Sequence, residues 1–399
     1  MISVEEARER ILAELVPLAA EVVALSDAWG RVASRDIRAR LTQPPADVSA
    51  MDGYAIRVAD GTRGARLRVI GEAPAGRPFE GALGSAEAVR VFTGSFIPAG
   101  ADAVLLQEDA RRDGDIVTVG EPVQTGRHIR RMGKDFAVGD VLVPAGRRMT
   151  PRDVGLAAAG NHPWIEVHQR PQVVLLATGD EIVFPGEAIP HGGIVSSNVH
   201  ALAAMVRAVG GLATVLPIAP DDEAAIGAAV RAASRADMLV TTGGASVGDY
   251  DLVQSGLASQ GMTLDFWKIA MRPGKPLMHG RIGRTPVLGL PGNPVSAFIC
   301  GMLFVVSALR LLSGESGLEP PSTRAVLGSS LPANDRRADF LRASLRPGDP
   351  PVAIPAAVQD SSMLATLAHS DALIIRPPFA PALDAGSEVE VLCFAALGV

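Results

Sequence analysis

The chain has 399 residues, of which 48% are hydrophobic, which is enough apolar sequence for several cores, so we expect two to four domains. Its formal net charge of -6 argues against a duplex DNA or RNA partner, because nucleic-acid binding normally requires a basic surface. The two cysteines, Cys300 and Cys393, lie far apart without a CxxC motif or a His cluster. This excludes a disulfide scaffold, argues against a zinc site and fits a reducing cytoplasm.

The chain opens with a predicted helix and continues into a predicted β domain. The run SVEEARERILAEL is acidic and amphipathic, without a basic stretch and an apolar core, so we expect a helix and no signal peptide. Further on, Asp52-Gly53 predicts a tight turn before a short strand. Residues 53–137 alternate short apolar runs with Gly and Pro. They predict a small β domain inserted between the two parts, 1–52 and 138–170, of an N-terminal helical and linker domain.

The central stretch, 171–315, switches between strand and helix periodicity. Its apolar runs end in Gly-rich turns, and NVHALAAMVRAVGG has the i, i+3, i+4, i+7 spacing of an amphipathic helix stopped by glycines. Strands that alternate with helices predict a doubly wound α/β domain, with a parallel sheet covered on both faces. Ligands of such sheets bind outside the carboxyl ends of the strands, where we expect all of these turns to lie.

The last part of the chain predicts a core helix and a second β domain. The run VSAFICGMLFVVSALRLL is just long enough to span a membrane, but it includes Ser296, Ser307 and Arg310, so we expect a buried core helix and no membrane partner. After a Ser-, Gly- and Pro-rich linker, residues 320–399 alternate in strand fashion, which predicts a C-terminal β-barrel-like domain. The predicted fold class is α/β plus β, in an elongated multidomain chain.

Charged residues of both signs accompany the central strands. Three carboxylates and three cations are expected at one edge of the sheet: Glu181, Asp221, Asp251, Lys268, Arg272 and Lys275. A structural domain gains nothing from this mixture, whereas a site for a phosphate and a metal needs it, because Mg²⁺ bridges carboxylate oxygens to substrate phosphates. In TTGGASVGDYD the glycines allow backbone N–H groups to point toward an anion. The absence of GxxxxGK[ST] and GxGxxG motifs argues against a P-loop NTPase and a dinucleotide-binding Rossmann unit.

Seven sequence motifs occur in the same order as in a known family. They are SAMDGYAIR, FTGSFIPAGADAVLLQED, IRRMGKDF, ATGDEI, TTGGASVGDYD, FWKIAMRPGKP and LPGNPVSA. Along essentially the whole chain, the sequence resembles the molybdopterin molybdenumtransferase (MoeA) family, which includes the E domain of gephyrin. The resemblance implies a central domain of the molybdopterin-binding type and a four-domain, elongated homodimer in the cytoplasm. It also implies an enzyme that inserts molybdate into the dithiolene of adenylylated molybdopterin, with Mg²⁺, and releases AMP.

The matching motifs assign roles to individual residues. The resemblance implies catalytic roles for Asp52, Glu181, Asp251, Lys268 and Lys275. It implies that Mg²⁺ is bound by Glu181, Asp221 and Asp251. It implies substrate contacts for Thr93, Gly243, Gly244, Ser246, Arg272, Pro291 and Pro294. In the family, Asp52 and Thr93 of one subunit meet the α/β-domain residues across the dimer interface.

Three positions depart from the family pattern, and two other functions remain open. Val48 stands where the family usually has Asn, Lys134 replaces a frequent Glu, and Arg272 takes a position often filled by Lys. We therefore assign no role to the basic loop around Lys134. One alternative is a molybdopterin adenylyltransferase, which would lack the flanking β domains and the motifs at Asp52 and Thr93. The other is a non-catalytic scaffold or pterin carrier, against which the retained carboxylates and cations argue.

Overall fold

The first of four structural units is built from two separate parts of the chain. The computed structural model describes residues 1–243 and 252–398. In this unit the first strand pairs antiparallel with the last, and the two middle strands pair with each other beside a helix. These strands and the helix are Ala20–Ala24, Ile37–Arg38, Val141–Val143, Pro151–Ala159 and Trp164–His168. A small core that includes Ile37, Val143 and Ile165 holds the two chain segments together.

The second unit is a six-stranded sheet inserted within the first. In sheet order its strands are Ala103–Leu106, Gly53–Ile56, Glu87–Val91, Arg66–Ala73, Ile116–Val119 and Ala110–Asp113. Neighbouring strands of this sheet pair antiparallel, except that Glu87–Val91 and Arg66–Ala73 run parallel to each other. A short pair, Val48–Ser49 with Ile129–Arg130, lies where the chain enters and leaves the unit. Residues 53–137 therefore form the sheet that their alternation of apolar runs and turns predicts.

The third unit is the doubly wound domain, and its sheet is mixed. In sheet order its strands are Leu212–Val215, Gln172–Ala177, Met238–Thr242, Thr285–Leu290, Met278–Ile282 and Met262–Phe266. Only Met278–Ile282 runs against the others, so the expectation of a wholly parallel sheet is wrong at this strand. The physical reason is its two-residue connection to Thr285–Leu290, because a turn this short joins antiparallel strands only. Met262–Phe266 still ends at the same edge as the parallel strands.

Helices cover both faces of this sheet. Asn198–Ala208 and the long helix Pro294–Leu312 contribute to a core on one face. Glu223–Ala232 and Leu252–Ser259 contribute to a separate core on the other face. Two short strands, Ile182–Val183 and Ile194–Val195, pair in the connection before the first of these helices. The two-sided covering confirms the predicted doubly wound arrangement.

The long helix is part of the core. Among the described residues, Pro294–Leu312 is the one helix with the length and composition to cross a membrane, and most of it is buried inside the protein. Phe304 and Leu309 are fully buried, and the helix widens to π geometry over Gly301–Val305. The prediction that this apolar run forms a buried core helix is confirmed.

The opening helix, Val4–Ala13, packs on the long helix. The Ser3 hydroxyl accepts a hydrogen bond from the Glu6 N–H at 3.0 Å, so the helix begins with a side-chain cap. Its buried face, which includes Ile11, belongs to the same core as the long helix. The domain boundaries predicted from the sequence placed this helix in one domain with residues 138–170. In the structure, its apolar face is buried against the third unit.

The fourth unit is a closed barrel. In ring order its strands are Ala338–Arg346, Val352–Pro355, Ser322–Leu327, Glu388–Cys393 and Ala372–Arg376, and the last pairs back with the first. The helices Leu364–Ala368 and Phe394–Leu397 flank it. The strand Met271–Arg272, from the third unit, pairs in parallel with the barrel strand Ala338–Arg346. Together the four units confirm the predicted α/β plus β class.

We expect Ile11→Ala to destabilise the protein by about 2–4 kcal/mol, because it removes a fully buried side chain and leaves a cavity in the largest core. The matched control is Val16→Ala, five positions further along the chain and 72% exposed, for which we expect a change within about 0.5 kcal/mol. Urea unfolding followed by circular dichroism measures both. Equal, small effects would contradict the packing of the opening helix on the long helix.

Candidate functional site

A cavity of about 550 Å³ opens at the carboxyl edge of the central sheet. It is lined by the ends of Gln172–Ala177 and Met238–Thr242 and by the first residues of the helices Asn198–Ala208 and Pro294–Leu312. Four residues predicted for the site line it: Glu181, Gly243, Pro291 and Pro294. The fold thus places the cavity where ligands of doubly wound sheets bind.

Gly243 allows two strand ends to approach closely at this cavity. Its φ of +99° lies in the region that residues with a Cβ rarely adopt, and a Cβ built on it would lie 2.5 Å from the carbonyl oxygen of Thr178. The Thr178 N–H donates to the carbonyl of Thr242 at 3.2 Å, which joins the two strand ends. Gly244 and Ser246, the other predicted substrate contacts of this turn, lie outside the described residues.

A polar network that the sequence did not single out connects three segments of the cavity wall. Asn198 Nδ2 donates to Thr242 Oγ1 at 2.8 Å and to the carbonyl oxygen of Gly292 at 2.7 Å. Thr242 Oγ1 donates in turn to the carbonyl of Pro291 at 3.2 Å. The only signal in the sequence was an Asn at the start of a predicted helix, which on its own indicates a capping residue.

Three carboxylates lie beside the cavity. Asp180 Oδ1 accepts a hydrogen bond from the Asp221 N–H at 3.0 Å. Partial burial, together with the negative charges of Asp180 and Glu181, raises the pKa of Asp221 above its ordinary value. Glu181 and Asp221, both predicted metal ligands, therefore belong to one cluster, to which the structure adds Asp180.

The third predicted metal ligand, Asp251, lies outside the described residues. Within residues 1–243 and 252–398, no group of three His, Cys, Asp or Glu side chains has the geometry to hold a metal ion. The observed cluster therefore supplies two of the three predicted ligands, and the set is a prediction of the sequence rather than an observed coordination site.

The two predicted catalytic lysines lie on the connection between Met262–Phe266 and Met278–Ile282. Lys268 Nζ is 4.5 Å from the centroid of the Trp267 ring, which is a cation–π contact. Lys275 is exposed and directly precedes Pro276, which lines the cavity. The Ile269 N–H donates to the Lys275 carbonyl at 3.0 Å, which fixes the backbone of this lysine next to the cavity-lining Pro276.

Arg272, a predicted substrate contact, faces a different cavity. Its Nη2 lies 2.8 Å from Asp335 Oδ2 and its Nε lies 3.4 Å from Asp339 Oδ1. These three residues line a cavity of about 670 Å³ at the barrel, which shares no described lining residue with the first. The cause is backbone pairing, because Met271–Arg272 is hydrogen-bonded to the barrel strand that carries Asp339.

The barrel also closes one side of the first cavity. Ser362 lines it, and the neighbouring Ser361 contacts the start of the long helix. The Asn293 amide donates to Ser361 Oγ at 2.9 Å, and the Val295 N–H donates to the Ser361 carbonyl at 3.1 Å. A loop of the fourth unit therefore satisfies a first-turn N–H group of a helix that begins at the cavity.

Asp52 and Thr93 form a separate pair on the inserted sheet. Asp52 Oδ1 accepts hydrogen bonds from the Thr93 N–H at 2.8 Å and from the Thr93 hydroxyl at 2.9 Å. These bonds, with a smaller contribution from the charge of Arg90, hold the pKa of Asp52 below its ordinary value. The Arg90 guanidinium lies 5.0 Å from the centroid of the Tyr54 ring, which helps to fix it there. Neither Asp52 nor Thr93 lines the cavity.

Family models match the chain in three consecutive segments. Residues 2–160 match the MoeA N-terminal region (domain I and II), residues 174–311 match a probable molybdopterin binding domain, and residues 324–394 match the MoeA C-terminal region (domain IV). A crystal structure of a molybdopterin biosynthesis MoeA protein from Pyrococcus horikoshii is 31% identical, covers 99% of each chain and superposes with a TM-score of 0.85.

Curated relatives cover most of the chain. The molybdopterin molybdenumtransferase of Haemophilus influenzae is 35% identical over 346 residues, which are 86% of this chain and 85% of the relative. The molybdopterin molybdenumtransferase 2 of Mycobacterium tuberculosis is 37% identical over 358 residues, which are 86% of this chain and 88% of the relative. On this similarity, and with the same order of domains, the chain belongs to the molybdopterin molybdenumtransferase family.

Proposed function

We propose that the protein inserts molybdate into adenylylated molybdopterin and releases AMP, as a step of molybdenum cofactor biosynthesis in the cytoplasm. The observation that carries this proposal is the cavity at the carboxyl edge of the central sheet, with carboxylates and a lysine beside it. The names of the curated relatives support the same reaction. A molybdopterin adenylyltransferase has less support, because the similarity to MoeA extends over the flanking units as well.

The lysines act on the charge that develops during this reaction. Breaking the pyrophosphate link of the substrate leaves negative charge on AMP, and molybdate itself is an anion. Lys275, which is exposed and directly precedes the cavity-lining Pro276, would stabilise these oxygens, and its flexible side chain would let the ammonium follow the group as it moves. The cation–π contact with the Trp267 ring restricts the Lys268 side chain, so the position of its charge is fixed.

The carboxylate cluster fits Mg²⁺ in its chemistry. Asp180, Glu181 and Asp221 offer the hard oxygen donors that this ion prefers, and the raised pKa of Asp221 is partly the effect of neighbouring negative charges that a cation would offset. Glu181, Asp221 and the sequence-predicted Asp251 would hold the ion. When bound, Mg²⁺ would neutralise the pyrophosphate oxygens of the substrate.

A homodimer would complete the site. Asp52 and Thr93 lie on the inserted sheet and do not line the cavity of their own chain. A two-fold symmetric dimer would bring the Asp52 of each subunit to the cavity of the other, which gives two equivalent sites. This arrangement would explain why a carboxylate held by two hydrogen bonds lies outside the cavity that Glu181 lines.

The direct test is AMP release from adenylylated molybdopterin, which we expect to require both molybdate and Mg²⁺. Lys275→Ala should reduce the rate by about 10²-fold or more, because a lost electrostatic contact to developing charge has this size of effect. The matched control is Arg235→Ala, an exposed cation that precedes the strand Met238–Thr242 and so lies at the opposite edge of the same sheet. Wild-type turnover in Lys275→Ala, or release without molybdate, would refute the proposal.

Asp221→Asn tests the Mg²⁺ site without turnover. A carboxyl whose folded pKa is raised destabilises the folded protein above that pKa, and the effect disappears as the pH falls toward its ordinary value of 3.8. Without divalent ions, the variant should therefore melt at a higher temperature than the wild type at pH 7, and at nearly the same temperature near pH 4.

The same measurement with millimolar Mg²⁺ tests the ion itself. Mg²⁺ should raise the melting temperature of the wild type more than that of Asp221→Asn. Glu223→Gln is the control, because this acid stands in the first helical turn and is not among the groups that raise the pKa of Asp221. An equal response of all three proteins to Mg²⁺ would count against the site.

Subunit mixing tests the shared site. Asp52→Asn and Glu181→Gln should each be inactive as homodimers. When the two are co-expressed at equal levels, about half of the dimers are heterodimers with one intact site each, so activity should return to about one-quarter of wild type. A site built within one chain would leave the mixture inactive.

The reciprocal mixture gives an internal control. Wild type co-expressed with the double variant Asp52→Asn, Glu181→Gln should show about one-quarter of wild-type activity if sites are shared, because every site in a heterodimer then has one lesion. If each chain builds its own site, the same mixture should show about one-half. Shared sites therefore give the higher activity in the first mixture and the lower activity in the second, compared with sites built within one chain.

A further inference from the structure

Apart from Glu181, the described residues that line the first cavity are uncharged. Among the described residues that line it, Glu181 is the only titratable one, and none is Lys, Arg or His. The remaining polar lining residues are hydroxyls and amides: Thr178, Ser196, Ser197, Asn198, Thr242, Asn293 and Ser362. The cationic side chains of the predicted site stand outside this set. The wall of the cavity therefore differs in chemistry from Lys275, which adjoins it in sequence at Pro276.

The orientation of the Asn198 amide is fixed by its partners. The Gly292 carbonyl can only accept a hydrogen bond, so the atom 2.7 Å from it must be Nδ2 rather than Oδ1. The second Nδ2 bond goes to Thr242 Oγ1, which uses its own hydrogen toward Pro291. Both donors of the amide are thus occupied by the cavity wall.

The atom of Asn198 that remains for a ligand is Oδ1. Its one bond in the described part of the protein is a long one, 3.4 Å from Ser197 Oγ. An oxygen acceptor favours an amino group or a ring N–H and disfavours the oxygens of phosphate or molybdate, which are acceptors themselves. Within the described residues Ser197 makes no side-chain cap, so the first turn of the helix Asn198–Ala208 also offers N–H donors at the cavity.

We propose that Asn198 binds an uncharged heteroaromatic ring of the substrate through Oδ1, at the wall of the cavity, while the phosphates and molybdate lie beside Lys275. This inference rests on the proposed function. A ring with both N–H donors and ring acceptors would use the Asn198 oxygen and the helix N–H groups together. The substrate carries two such rings, the pterin and the adenine, and binding measurements distinguish them.

The experiment measures the dissociation constants of free pterin and of adenosine by calorimetry, with no turnover needed. Asn198→Ala should weaken the binding of one of the two by about five- to tenfold, the usual effect of one hydrogen bond to a neutral group, and leave the other unchanged. The affected compound identifies the ring. In the AMP-release assay, the same variant should raise KM with little change in kcat, because the contact is made to the bound substrate before reaction.

Two threonines of one strand provide a second variant and its control. Thr242→Val removes the acceptor that orients the Asn198 amide, so it should weaken the same compound. Thr241→Val makes the identical chemical change at the adjacent buried position, whose hydroxyl has no described partner and does not line the cavity, so binding should be unchanged. Thr242→Val keeps the proposal testable if Asn198→Ala folds poorly.

Three results would overturn the inference. They are wild-type affinity of Asn198→Ala and Thr242→Val for both compounds, equal weakening by Thr241→Val, and failure of the wild type to bind either compound. None of these affects the AMP-release test of the wild-type protein, so a failure of this inference is distinguishable from a failure of the proposed function.

Discussion

The close approach of Gly243 to Thr178 is the constraint on which the cavity depends. A side chain at Gly243 would meet the Thr178 carbonyl, so the two strand ends could not lie side by side. Gly292 extends the same packing, because a Cβ built on it would lie 3.7 Å from Gly243 Cα. Asn198 then connects the Gly292 segment to the strand through Thr242. The shape of the cavity therefore depends on close contacts between backbone segments, whereas the side chains that line it determine its chemistry.

Much of the fold could be predicted because its signals are local. Strand and helix periodicity, Gly-rich turns and the position of Pro294 at a helix start each involve a few neighbouring residues, and they identified the central domain correctly. Two features depended on contacts between distant segments and were not predicted. These are the antiparallel strand Met278–Ile282 and the burial of the opening helix on the long helix.

The site shows the same division. Glu181, Gly243, Pro291 and Pro294 line one cavity because each stands at a strand exit or helix start, which the sequence marks directly. The partners of Arg272 could not be inferred in this way, because Asp335 is 63 residues away and comes close only through barrel pairing. Asn198 escaped notice for a related reason, since its role is defined by a threonine 44 residues and a carbonyl 94 residues further along the chain.

The contacts of the barrel with the start of the long helix have an evolutionary consequence. Ser361 bonds Asn293 and Val295, and the barrel strand Ala338–Arg346 pairs with Met271–Arg272, three residues before Lys275. The barrel thus shares hydrogen bonds with two of the segments that form the cavity and its mouth. A barrel exchanged between relatives would bring a foreign loop to the helix start and a foreign edge to the lysine segment. The third and fourth units are therefore expected to have diverged as one inherited block, although each has a core of its own.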